Sequence, residues 1–318
     1  PTIGASEMPD GRAFYASQIR EYTTTDLTAK QIHEIGLKEV ARIKADMEAT
    51  MKASGFKGTL PEFFTFMRTD PQFYAKTPKE LLAAASYTVM KANGRMNETI
   101  GKLPRYRHGI VAVPADIAPI YTSGRGGLDN CLFNTYRLDQ RPLYTLPALA
   151  VHECTPGHSF QAALAREGEA RPDFRKDLYF SGYGEGWGLY TEWLGQQMGI
   201  YETPYEEFGR QTYEMWRAVR LVIDTGMHEY GWSRDKALAY FKDHVALSDL
   251  EITNEVDRYI SWPGQALAYK LGEITIRNLR KEAEAELGAK FDQRGFHDTI
   301  LGLGAVPLPV LESEVRAW

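Results

Sequence analysis

The chain has 318 residues, 43% of them hydrophobic and 25% charged, and carries a net charge of −5 at pH 7. Such a balance gives a folded protein with length for one large core or two smaller ones, and its acidic sign argues against a nucleic-acid or anionic-membrane partner. No apolar run reaches the roughly 18 residues of a transmembrane segment.

In chain order, Thr28-x-x-Gln31 opens a long amphipathic helix that Gly55 stops, and Thr77-Pro78-Lys79-Glu80 is a capping box leading into a helix over 78–100. Both read as scaffold. Residues 106–137 depart from helix: Ile110–Val113 and Pro119–Thr122 read as short strands, Gly124–Gly127 as a turn, and Cys131–Tyr136 as an alternating strand. Cys131 and Cys154 are too few for a disulfide framework, and Cys154 reads as a small buried filler rather than a metal ligand. Pro142 and Pro147 lead into helices over about 147–197, and a further helix covers about 205–230. Ser248-x-x-Glu251 starts a helix that Trp262-Pro263-Gly264 interrupts before a longer one runs to about Leu287. With no internal repeat or linker, residues 1–318 read as one unit, mainly α with a small β-sheet (α+β).

The chemistry lies in His152-Glu153-Cys154-Thr155-Pro156-Gly157-His158 and in Glu185, 27 residues past the second histidine. Two imidazoles and a carboxylate make a three-ligand set with an open position, the pattern of zinc sites that activate water. The histidines are six apart, which on an unbroken helix separates them by roughly 120°. Pro156-Gly157 breaks the helix and lets His158 swing back. Glu153, beside the first ligand, is the expected general base. Glu192, one heptad past Glu185, is placed to orient a ligand, and the glycines at 182, 184, 186 and 188 let two ligand-bearing helices approach.

His-Glu-x-x-Pro-Gly-His-x-x-Gln at 152–161, Glu-Gly-Trp-x-Leu-Tyr-x-Glu at 185–192, Asp-Thr-Gly-Met-His at 224–228 and Arg-Tyr-x-x-x-Pro-Gly-Gln-Ala-x-x-Tyr-Lys at 258–270 resemble the bacterial family of domain of unknown function 885. The resemblance begins at Pro9-Asp10-Gly11-Arg12-x-x-Tyr15 and covers nearly the whole chain. It implies a zincin-like, gluzincin-type catalytic domain: a metallopeptidase holding one Zn2+ on His152, His158 and Glu185 and hydrolysing oligopeptides. Family members are usually longer at the N-terminal end, so the chain resembles the C-terminal, catalytic half. The missing N-terminal half or another polypeptide is then the expected partner besides the peptide. The chain begins at Pro1 without a leader, and export as a periplasmic protein or lipoprotein stays open.

Within those motifs Tyr269 and Tyr259 are the expected donors to a developing oxyanion. Arg217, Arg220, Asp224 and His228 share one face of the 205–230 helix, opposite Met215, Val219, Val222 and Ile223. As a wall of the site, that face offers His228 to the transition state. It also offers Arg217 or Arg220 to a substrate carboxylate, which would make the enzyme an exopeptidase. Asn134, in the last strand, completes the expected substrate contacts, and an edge strand just before the metal helix can pair with an extended peptide. Two alternatives keep the same residues: a non-haem iron enzyme using two histidines and one carboxylate, and a degenerate peptidase fold serving as a binding module.

Overall fold

A computed structural model describes residues 3–168, 171–176 and 178–318. Its elements are α1 (Gly11–Thr23), α2 (Ala29–Ala53), α3 (Leu60–Thr69), α4 (Pro78–Asn93), α5 (Met96–Thr99), β1 (Gly109–Ala112), β2 (Gly124–Arg125) and β3 (Asn130–Phe133), followed by helices. These are α6 (Leu146–Glu153), α7 (His158–Glu167), α8 (Asp173–Lys176), α9 (Ser181–Gln197), α10 (Pro204–His228), α11 (Arg234–Lys242), α12 (Asp249–Ser261), α13 (Ala268–Leu287), α14 (Gln293–Leu303) and α15 (Leu308–Ala317). The expected class, mainly helical with a small sheet, is what forms. No described helix is long and apolar enough to cross a membrane.

The capping signals sit where the helices start. Thr28 accepts from Gln31 N–H at α2, Thr77 from Glu80 at α4 and Ser248 from Glu251 at α12, each satisfying an end donor that the helix cannot. The expected 78–100 helix is interrupted, because the chain turns at Gly94-Arg95 before the short α5.

Helix α10 is buried on every side from Phe208 to His228. It packs along α2, where Gly36 lets Leu221 and Val222 approach, while α9 and α13 cross where Gly186 meets Gly272. A polar side chain on such a helix has no water to turn to and must find a partner inside. Arg210 pairs with Glu214 at 2.9 Å, and Lys270, fully buried on α13, reaches Glu214 at 2.9 Å, Glu273 at 2.9 Å and Glu39 of α2 at 3.1 Å. Together with Arg42 and Arg277, this network joins α2, α10 and α13.

The sheet differs in detail from the expected one. Its order is β1-β3-β2, with β3 parallel to β1 and antiparallel to β2. Pro119–Thr122 is not a strand: Ala118–Ile120 forms a 3-10 turn, because Pro119 has no N–H for a ladder. The expected turn at 124–127 supplies β2 instead, and the strand at Cys131 is central rather than an edge. The two cysteines also pair, Cys131 of β3 with Cys154 just past α6. One cross-link between the sheet and the end of the histidine helix replaces the expected buried filler.

Candidate metal centre

Helix α6 ends at Glu153, and His158 is the first residue of α7, so the two histidines stand on separate helices around a tight loop. That loop turns back because Gly157 lies against the start of the motif. A Cβ there would sit 1.8 Å from the His152 carbonyl oxygen, so no other residue fits. Phe160 N–H returns to the Cys154 carbonyl at 3.1 Å, and Trp187 Nε1 donates to the Pro156 carbonyl at 2.9 Å. The imidazole rings end 4.8 Å apart, nearly perpendicular.

Glu185 enters from α9. Its Oε2 lies 3.1 Å from His158 Nε2 and 3.7 Å from His152 Nε2, and one donor atom of each of the three residues lies within 4.8 Å of the others. Ligands about 2.0–2.1 Å from a tetrahedral zinc stand about 3.3 Å apart, which the two spacings from Glu185 bracket. Helix α9 comes this close through Gly188, where a Cβ would meet the His152 ring at 2.8 Å.

The electrostatics also favour a cation. Burial alone would lower the His152 imidazole, but Glu185 and Glu192 push it up to about 9. Burial would raise the Glu185 carboxyl, yet His158 and His152 hold it well below the ordinary carboxylate range. Three carboxylates, Glu185, Glu192 and Glu153, thus bear on the His152 imidazole and favour its protonated form in the metal-free fold.

Glu192 Oε1 accepts from His152 Nδ1 at 2.7 Å, fixing the ring so that Nε2 faces the centre. Arg217 reaches the same oxygen at 3.5 Å. Glu153 keeps one oxygen on the Gly126 N–H at 2.6 Å, a bond that ties the carboxylate to the residue after β2. Beside β2, a cleft between the sheet, α6, α10 and α12 is lined by Ser123, Phe133, Arg141, Leu149, Tyr213 and Glu251.

Tyr179 carries no signal in sequence beyond being one of 18 tyrosines, and its hydroxyl donates to Glu185 Oε1 at 3.1 Å. Crowding by the surrounding protein, Glu185 and Tyr269 push that hydroxyl well above 10, so it is a proton donor at neutral pH. Tyr269 is buried beside it, its oxygen accepting from Arg258 Nη2 at 3.2 Å, which leaves its own proton unassigned.

The remaining expected site residues are placed differently. His228 is fully buried, with Nδ1 accepting from Ala5 N–H at 3.1 Å and Nε2 donating to the Tyr259 carbonyl at 2.9 Å. Both nitrogens serve the backbone, so it joins the N-terminal turn to α12 instead of facing substrate. The Tyr259 hydroxyl accepts from Trp216 Nε1 and Arg220 Nε, each at 2.8 Å, and is spent on Glu255. It positions Arg220 and is not free for an oxyanion. Asn134 gives its amide to the carbonyls of Ala118, Tyr121 and Thr122 and accepts from Tyr136 N–H, so it ties down the loop before β2 rather than binding substrate.

The family model described as "Bacterial protein of unknown function (DUF885)" matches residues 2–315. No curated protein matches the chain. A crystal structure of a lipoprotein candidate from Colwellia psychrerythraea is 34% identical with a TM-score of 0.96, covering 100% of this chain and 57% of that one. A second, a lipoprotein candidate of unknown function from Shewanella oneidensis, is 17% identical with a TM-score of 0.81, covering 98% of this chain and 60% of that one, a likeness of fold alone. The chain therefore spans less than two thirds of either.

Proposed function

The chain belongs to this bacterial family, DUF885, and we propose that it is a zinc-dependent peptidase of the gluzincin kind. The observation that carries the proposal is the convergence of His152, His158 and Glu185 within 4.8 Å, with Glu153 alongside. His152, His158 and Glu185 would hold one zinc, whose Lewis acidity polarises water and a carbonyl when it is bound. Glu153, aimed by the Gly126 amide, takes the proton of the attacking water and passes it to the departing amine. Tyr269 donates to the oxygen on which negative charge develops, and Tyr179 joins it only by turning its proton from Glu185 to that oxygen. A phenol hydroxyl can give a hydrogen bond without competing for the metal. The Gly126 amide spent on Glu153 also brings β2 to the centre, where an extended peptide can lie along it.

The disulfide supports export, since such bonds persist in oxidising compartments. The naming of both similar structures as lipoprotein candidates points the same way. We place the protein outside the cytoplasm.

Elemental analysis of protein purified without added metal, combined with hydrolysis of unstructured oligopeptides, tests the function. About one zinc per chain with chelator-sensitive cleavage is expected. Iron at that stoichiometry would favour oxygen chemistry, and no metal with no cleavage would leave a binding module.

A further inference from the structure

Resting on the peptidase reading, we propose that Arg220 is the receptor for the free C-terminal carboxylate of the substrate, which makes the enzyme a carboxypeptidase. The Arg220 guanidinium is 2% exposed and clamped between two aromatic faces, with Cζ 4.5 Å from the Trp216 ring and 4.3 Å from the Tyr269 ring. With both faces covered, its bonds must lie in its own plane. Nε is used by the Tyr259 hydroxyl at 2.8 Å and Nη2 by Glu255 at 2.8 Å. Nη1 is buried and has no partner. A buried N–H left unpaired costs about 1–3 kcal/mol, more for a charged group, so its partner is expected to come from outside the chain.

Two further features specify an anion close to the metal centre. Arg217, Arg220 and Arg258 all approach Tyr269, with Arg217 Cζ 5.9 Å from its ring and Arg258 Nη2 3.2 Å from its hydroxyl, while the carboxylates paired to them are Glu192 and Glu255. Glu251, in the first turn of α12, faces Arg141 and bonds Ser123 rather than pairing with this cluster. The cluster then carries one more cation than anion. It also adjoins the reacting centre from both sides. Arg217 touches Glu192, which holds His152, and Tyr269 neighbours Tyr179, which holds Glu185. Arg217 is the weaker receptor, because its unpaired nitrogen is Nε, with a single N–H on the stem side. Its part is to position Glu192. Arg220 Nη1 offers two N–H donors at the tip of the guanidinium, either of which can bond a carboxylate oxygen.

The test uses an N-acetylated tripeptide library made once with free C-terminal carboxyls and once as C-terminal amides. Retention is measured on the metal-loaded Glu153→Gln protein, which binds without cleaving. Free acids should be retained roughly 10- to 100-fold more tightly than amides, the range for a hydrogen bond to a charged group. Arg220→Gln should erase that preference without weakening the amides. Should the variant fail to fold, the acid-to-amide ratio of the parent still decides. Equal retention of both libraries, or of neither, overturns the proposal. Wild-type protein should release single C-terminal residues from the acids. Absence of all hydrolysis would count against the peptidase reading, while retention by Glu153→Gln reads the carboxylate site separately.

Discussion

His152 Nδ1 and Glu192 Oε1 lie 2.7 Å apart, both residues almost fully buried, on helices that approach each other through Gly188. A carboxylate buried with an imidazole is costly unless the charge is used, and here it turns His152 Nε2 toward Glu185 and His158. Replacing His152, His158 or Glu185 with Ala should strip the metal. Because bound metal stabilises only the folded chain, the melting temperature should fall and lose its sensitivity to chelator. Metal content and thermal scans check this, and a variant retaining full occupancy would remove that residue from the ligand set.

Glu153→Gln separates chemistry from binding. The amide keeps an oxygen for the Gly126 N–H, so fold and metal content should be unchanged, but it cannot accept a proton. Turnover should fall by about three orders of magnitude or more. Hydrolysis at the parental rate would assign the base elsewhere.

Tyr269→Phe and Tyr179→Phe should each lower turnover by roughly 10²–10³ with metal content intact, the loss expected for one preorganised donor. His228→Ala should behave oppositely. It leaves the Ala5 N–H and the Tyr259 carbonyl without their partner, costing about 1–3 kcal/mol of stability while the folded fraction keeps its turnover. Paired denaturation and kinetic measurements distinguish the two patterns.

How much of this was legible in sequence depended on how local each cause is. The N-caps at Thr28, Thr77 and Ser248 specify helix starts within four residues, and all three form. Of these only Thr28 gains the full capping box, because Glu80 turns to the Lys76 N–H and Glu251 to the Ser123 hydroxyl. The convergence of His152, His158 and Glu185 was readable because Gly157 and Gly188 mark where backbone must pass close to His152. The sheet was only partly readable, since β2 is two residues long and exists through pairing with β3 rather than through its own pattern. The roles of His228, Tyr259 and Asn134 were misassigned for a common reason. Each lies in or beside a motif that builds the site's surroundings, and only three-dimensional contacts separate a residue facing substrate from one holding the wall. Tyr179 went unseen because nothing in its neighbours distinguishes it, and the Cys131–Cys154 bond because two cysteines 23 apart specify no geometry.

That disulfide closes a loop of 23 residues carrying the sheet's last strand and all of α6. Cross-linking a loop of this length removes denatured-state freedom worth about 3 kcal/mol. Cys131→Ser with Cys154→Ser should lower stability by about that amount in chemical denaturation. It should also weaken zinc retention, because Cys154 immediately follows Glu153. Reduction of the parent should reproduce both effects, and a double variant as stable as the parent would make the bond incidental.

The last prediction concerns protons. The His152 imidazole ordinarily titrates at 6.5, and in the metal-free fold it rises to about 9 because burial is outweighed by Glu185 and Glu192. Between those values the metal-free fold holds a proton that the unfolded chain has lost. Its contribution to stability is therefore complete below about 6.5 and disappears as pH rises through about 9. A metal on Nε2 must displace that proton. Zinc added at pH 7.5 should release about one proton from His152, read as the dependence of the calorimetric heat on the buffer's ionisation enthalpy. The release should decline above about 9, while apparent affinity falls about tenfold for each pH unit below it. Zinc binding at pH 7.5 without proton release would mean that His152 is neutral before the metal arrives, and that Glu185 and Glu192 do not act on it as their distances imply.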